Sequence, residues 1–366
     1  MNDEKIESLC RIFGIEGEYR TYETVTSGHI NQTYKVYFFR DNEVKDYILQ
    51  KVNTYVFKNP VEVMNNIISV TEHIRSKIKQ TGVSAKRNVL HYQKTNEGKY
   101  YFYDKNGDFW RCSRFIDDSC TFLVASPFVM EESGKAFGEF QKHLADYPVK
   151  ELYISIPHFH NTIMRFEAFK TAVKNDALGR AAKVRKEIDG YLALENEAVK
   201  TYLRQRAGEL PLRVTHNDTK CSNVLFDRKT QRHLSVIDLD TVMPGLAACD
   251  FGDAIRAGAN TAAEDEKEPS LVALDFKKFE AFTRGFLGVV KDALTAAEID
   301  SLAGGAVAMT AECGVRFLTD YLEGDKYFSI HYPEHNLVRA KSQLALAKDM
   351  VEKYDKMRQI VQKYAH

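Results

Sequence analysis

The chain has 366 residues, 44% of them hydrophobic, 28% charged and 11% aromatic, a composition that excludes disorder and fibre and suits two domains or lobes. Lys plus Arg equals Asp plus Glu at 51 each, so no net field draws the protein to nucleic acid or to an anionic membrane. No apolar run approaches the about 18 residues that span a bilayer, the acidic N-terminus lacks the apolar core of an export signal, and six scattered cysteines form no CxxC pair; a cytoplasmic monomer with reduced thiols is expected.

Three short runs of β-branched and aromatic residues come first: Arg20 to Thr26, Thr33 to Arg40 and Asp46 to Val52. The turn-forming SGHINQ and DNEVK separate them, which predicts antiparallel strands. Pro60 then opens a helix through about Gln80, with Val63, Ile67, Val70 and Ile74 along one face. KYYFYD and FWRCSRFI, joined by DKNG with Asn106-Gly107 at its end, predict a hairpin. Five strands with one inserted helix make an N-terminal lobe over 1–118. A short hinge near Ile116 to Ser119 leads into a mostly helical lobe over 119–366. There, helical periodicity marks 127–147, 161–175 and 184–206, resumes near residue 250, and ends in a helix carrying Leu346, Met350, Tyr354, Met357, Val361 and Tyr364 on one face. The expected fold class is α+β.

Short strands interrupt the helices at RVTHNDTKCSNVLF (Arg213 to Phe226) and HLSVIDLDT, placing Asp218, Asn223 and Asp238 in order at offsets of 5 and 15. Phosphoryl transfer needs these residue types: a carboxylate to accept a hydroxyl proton, and a carboxamide and a second carboxylate to hold Mg²⁺ on nucleotide phosphates. Each alone could equally cap a turn or end a strand. His216 reads as a structural brace that hydrogen-bonds backbone carbonyls. The string DFGD imitates a kinase metal motif, yet Asp250 lies 32 residues past Asp218 and Asp238 only 20. Asp238 is therefore the metal candidate, and Asp250 is expected to buttress the loop from a helix start by accepting backbone N–H groups. Asp240, on the same strand face as Asp238, is a candidate either for supporting the metal ligands from behind or for contacting a second metal.

THNDTKCSN and IDLD resemble motifs of the aminoglycoside phosphotransferase and choline kinase superfamily, which shares the two-lobed protein kinase fold. SGHINQTYKV, YILQKVNTYVF, LGRAAKVRKEID, DFGDAIRAGANTAAEDEKE and ECGVRFLTDYLEGDKYFSIHYPEHNLVRA extend a closer likeness, over nearly the whole chain, to the N-acetylhexosamine 1-kinases. The resemblance implies an ATP- and Mg²⁺-dependent kinase acting on the anomeric hydroxyl of N-acetylglucosamine or N-acetylgalactosamine. It implies that Gly28 and Asn31 of SGHINQTY, with Gln50, meet the nucleotide, and that His29 reaches toward the sugar. Whether Gln50, Lys51 or a loop amide meets the phosphate stays open. Arg316 and Tyr327 are implied to line the sugar pocket beside Asp218, with Arg256 nearby. From the residues alone, an Arg316–Glu312 ion pair is an equal alternative. By the same resemblance Ala257 stands where one member of that family has a bulky aromatic, which leaves the gluco or galacto preference open. His158 and His160 read as buried hydrogen-bonding histidines rather than zinc ligands.

Two competing readings change the acceptor or the activity. The same fold could phosphorylate choline, ethanolamine, homoserine or an aminoglycoside, which would call for an aromatic or acidic cage. A non-catalytic nucleotide-binding regulator would lack the base or a metal ligand, and all three are present.

Overall fold

A computed structural model describes residues 1–26 and 30–366; the expectations for Gly28 and His29 lie outside the described residues. The first half of the chain forms α1 (Asp3–Ile12), β1 (Glu18–Val25), β2 (Gln32–Arg40), β3 (Glu43–Val52), α2 (Pro60–Gln80), β4 (Phe102–Tyr103), β5 (Phe109–Arg114), β6 (Ser119–Cys120), α3 (Pro127–His143) and α4 (Thr162–Asn175). The second half forms α5 (Arg185–Arg206), β7 (Arg213–Thr215), β8 (Val224–Asp227), β9 (His233–Val236), β10 (Met243–Gly245), α6 (Ala247–Gly258), α7 (Phe276–Val290), α8 (Ala296–Glu323), α9 (His335–Glu352) and α10 (Tyr354–Ala365). This is the α+β arrangement expected: an antiparallel five-stranded sheet, then mostly helix. Two compact units emerge. The first joins Met1–Cys120 to Asp146–Ile156 and Leu225–Met243; the second joins Thr121–Ala145, Pro157–Val224 and Pro244–His366.

In the first unit the sheet order is β1-β2-β3-β5-β4. Strand alternation sends Tyr34, Val36, Phe38, Leu49, Trp110 and Cys112 to one face, where Ile6, Leu9, Cys10 and Phe13 cover them. Those last four belong to α1 and its C-cap, a helix the charged N-terminal sequence concealed. Asn2 starts it by accepting the Lys5 N–H. The short strand β4 ends where the Asp104 carboxylate accepts the N–H groups of Asn106 and Asp108, closing the hairpin with Gly107 at φ 78°. On α2, the buried Asn66 donates to the carbonyls of Tyr153 and Val242 and accepts the Tyr153 N–H. One carboxamide thus fastens both late-coming segments to the helix.

The second unit is built on α8, which spans 28 residues and starts in a Thr295–Glu298 capping box. Its apolar side packs with α4, α5 and α9 through Phe166, Tyr191, Leu318 and Ala340. The single last helix expected from the apolar stripe is two helices, α9 and α10, separated at Lys353, whose φ of −100° and ψ of 11° leave the helical basin. Met350, Met357 and Val361 are still buried, so the stripe reports burial correctly while missing the break.

Helix α6 meets α8 backbone to backbone. A Cβ at Gly305 would lie 2.0 Å from the Ala248 carbonyl oxygen, and one at Gly252 would lie 2.2 Å from that of Gly305. Gly305→Ala is therefore expected to push α6 away and lower the melting temperature, at the roughly 1–3 kcal/mol of an overpacked core. Gly288→Ala on α7, where nothing lies within 4 Å, should raise it through helix propensity. Paired thermal melts check both, and a harmless Gly305→Ala would refute the close contact.

Candidate active site

The loop that follows β7 is buried, so its backbone donors need partners. All four N–H groups from His216 to Thr219 find one. Asp250, in the first turn of α6, accepts from His216 N at 2.9 Å and from Asn217 N at 2.8 Å. Asp253, one turn on, accepts from Thr219 N at 2.9 Å, and the Asp218 N–H donates to Nδ1 of His216 at 3.2 Å. Asp250, in the first turn of α6, also lies at the positive end of the helix dipole. Asn217 bends the loop in the left-handed region at φ 65°, a conformation asparagine tolerates. Its side chain is exchanged with Thr215, Oγ1 to Oδ1 at 3.0 Å and Nδ2 to carbonyl at 3.3 Å.

Electrostatics separate the two helix carboxylates. Burial pushes Asp250 above the usual carboxylate value, against the pull of His216 and the two backbone N–H groups. For Asp253 burial acts the same way, but Arg256, Nε 2.9 Å away, and His160 outweigh it and hold the group down. The His216 ring is completely buried and sits edge-on to Phe137 and Phe140.

Asp218 and Asn223 come together in this loop. Nδ2 of Asn223 donates to the Asp218 carbonyl at 2.8 Å and to its Oδ2 at 3.0 Å, which leaves Oδ1 as the accepting side of the amide. Lys220 Nζ also lies 3.1 Å from Asp218 Oδ2. A half-buried carboxylate with a lysine and a carboxamide on one oxygen keeps the other oxygen for a further partner.

In the first unit, Asp238 lies two residues beyond the end of β9, exposed and left-handed at φ 61° and ψ 57°. Asp240 does not continue a strand face beside it, as the sequence suggested. It sits in a 3-10 turn, Leu239–Thr241, and is buried at 3% exposure against an equally buried Arg111. The guanidinium grips both carboxylate oxygens, with Nη2 to Oδ2 at 3.0 Å. Asn31 Nδ2 donates to Oδ2 at 2.6 Å, while its Oδ1 accepts the Asn53 N–H. Arg111 in turn donates from Nε to Gln50 Oε1 at 2.9 Å, and Gln50 Nε2 donates to Thr33 Oγ1 at 3.1 Å. Thr33, Gln50 and Arg111 are direct cross-strand partners on β2, β3 and β5. The row ends on Asp240, whose carboxylate is thereby fully engaged. Lys51 faces the other side of the sheet and pairs with Asp108 at 2.8 Å. Arg111 was missed in the sequence; the available signal was a charged residue between Trp110 and Cys112, both completely buried.

The residues implied for an acceptor gather in the second unit. The Arg316 guanidinium lies 5.8 Å from the Phe159 ring, 5.7 Å from Tyr327 and 5.2 Å from Phe328. Asp320 shapes the segment carrying Tyr327 by accepting the N–H groups of Lys326, Tyr327 and Phe328. Tyr327 itself is 70% exposed. Glu312 does not pair with Arg316: it is completely buried and bonds His160 and Thr162. Arg256 is buried too, held by Asp253 and by Glu264 at 2.7 Å.

Residues 21–273 match the sequence profile of the phosphotransferase enzyme family. Among solved structures, a microcompartment-associated aminopropanol kinase is similar with TM-score 0.63 and 12% identity, covering 97% of this chain and 98% of that one. A choline kinase from Cryptosporidium parvum Iowa II gives 0.56 and 15% over 100% and 99%, and an ethanolamine kinase from Plasmodium vivax 0.55 and 15% over 88% and 82%. At these identities the likeness is one of fold, and the fold is kinase-like.

Proposed function

The chain belongs to the phosphotransferase enzyme family, and from that premise we propose that it transfers the γ-phosphoryl group of ATP to the anomeric hydroxyl of an N-acetylhexosamine. One observation carries the chemistry: Asp218 is presented by a loop whose four successive N–H groups are anchored, with Asn223 bonded to the same carboxylate. A base held this firmly is set to receive a proton from an attacking hydroxyl as the bond from γ-phosphorus to ADP breaks. Bound magnesium would neutralise charge on the phosphates. Asn223 Oδ1 in the second unit and the Asp238 carboxylate in the first are each hard oxygen donors of the kind that suits it, whereas Asp240 is gripped by Arg111. Asn31 and Gln50, committed to Asp240 and Arg111, support the nucleotide side by fixing this turn.

Arg316 and the long sequence likeness support a sugar as the acceptor. A multi-donor cation braced by three rings suits ring hydroxyls and an N-acetyl carbonyl. The same cation repels a choline- or ethanolamine-like head group, because like charges in contact are costly. The test is ADP release with N-acetylglucosamine, N-acetylgalactosamine, free hexoses, choline, ethanolamine and aminopropanol, with the product read by ³¹P NMR. A hexosamine 1-phosphate is expected, and preferential turnover of an amino alcohol would displace the sugar. Arg316→Met should raise KM for the sugar more than KM for ATP. Equal changes in both would remove Arg316 from the acceptor pocket.

A further inference from the structure

Two imidazoles hold one peptide bond, the one that leads into Asp218. Its carbonyl, from Asn217, lies 3.1 Å from Nε2 of His160; its N–H, from Asp218, donates to Nδ1 of His216 at 3.2 Å. A peptide unit is planar, so fixing its oxygen and its N–H fixes the plane and with it the direction in which Asp218 leaves the backbone.

The partners dictate the protonation of each ring. A backbone N–H can only donate, so Nδ1 of His216 is a lone pair. A carbonyl oxygen can only accept, so Nε2 of His160 carries a hydrogen. The other nitrogen of His160, Nδ1, faces Oε1 of Glu312 at 3.0 Å, and the second oxygen of that carboxylate accepts from Thr162 Oγ1 at 2.7 Å. A ring that donates from both nitrogens is an imidazolium. We propose that His160 is a charged positioning residue, held as an imidazolium by Glu312, whose Nε2–H sets the peptide that presents Asp218. The consequence for turnover rests on the assignment of Asp218 above; the protonation state does not.

The surroundings agree. Burial works against charge on the His160 ring, but the hydrogen bond and charge of Glu312, the charge of Asp253 and the Asn217 carbonyl outweigh it and raise the group above its ordinary value. On Glu312 burial is likewise outweighed, by His160, Thr162 and the Arg316 charge, and the group is held down. Arg165 faces Glu312 from α4 as a further cation. The expectation of a buried hydrogen-bonding histidine holds for His160 and fails for His158, which is exposed; the partners of His160 could not be read, because it lies 57 residues from Asn217 and 152 from Glu312.

Full-length protein labelled with ¹⁵N-histidine, with the His160 signals assigned by their loss in His160→Gln, reads the state directly. Both ring nitrogens should be protonated at pH 7 and remain so above about 6.5, the ordinary imidazole value; a neutral tautomer at pH 7 overturns the proposal. This measurement needs no substrate and no variant beyond the assignment. Glu312→Gln keeps the shape and removes the anion, which lowers the pKa of His160. Its kcat should match wild type on the acid side and fall about 10- to 100-fold as pH rises through the imidazole range, the weight of a charged hydrogen bond, with both KM values changing less. A profile parallel to wild type overturns the positioning role. Failure of the functional assignment would look different: no phosphoryl transfer by wild type, with the imidazolium signals intact.

Discussion

Asp218→Asn is expected to lower kcat by about 10²- to 10⁴-fold, the contribution of a positioned base, while the melting temperature stays at the wild-type value. Nothing that holds the loop depends on the charge of this side chain. The backbone N–H groups go to Asp250, Asp253 and His216, and the carboxamide of Asn223 also reaches the Asp218 carbonyl. The ion pair with Lys220 is partly exposed, with 42% and 27% of the two side chains accessible, and such pairs contribute little. Because the transition state of phosphoryl transfer is loose, positioning alone can sustain residual turnover, which favours the lower end of the range. His216→Gln is the matched control. That ring is packed between Phe137 and Phe140, so its loss should lower the melting temperature along with activity. A large kinetic loss in the histidine variant at wild-type stability, beside a mild loss in Asp218→Asn, would move the proton to His216.

How much of this could be read in advance depended on sequence separation. The strands β2, β3 and β5 were visible because alternating aromatic and β-branched residues are themselves the burial pattern of a covered sheet. Helix α2 was bounded to the residue by Pro60 and a regular apolar face. The pairing of Asp218 with Asn223 was legible because five residues of loop hold both. Helix α1 was hidden because Asp3, Glu4, Lys5 and Glu7 surround its narrow apolar face. The long-range partners could not be read at all. Arg111 and Asp240 are 129 residues apart, and neither residue type announces that it will be buried. That is why the guanidinium was not foreseen for Asp240, expected either behind the metal ligands or on a second metal. Lys51 was left beside Gln50 as an open choice; in the sheet the two-residue strand period puts it on the other face, where it pairs with Asp108.

Asp240→Leu is expected to destabilise the protein by about 3–5 kcal/mol, the effect of leaving a buried charge without its partner. Arg111 cannot relieve the loss by giving up its proton. In the wild type Asp240 itself is the main group that offsets the effect of burial on the Arg111 proton; without it the guanidinium still stays charged, as an arginine does throughout the accessible pH range. Gln50 supplies only one neutral acceptor. The double variant Arg111→Met with Asp240→Leu should be much milder, because apolar replacement removes two desolvation penalties together with the attraction between them. It should still fall short of wild type, since the partly buried Asn31 loses the carboxylate that its Nδ2 serves at 2.6 Å. Denaturant and thermal unfolding of the two variants beside wild type measure the difference. Equal losses in the single and double variants would mean that Arg111 finds water or another anion when Asp240 is gone. The turn carrying Asp238 would then be held by its own backbone rather than by the ion pair.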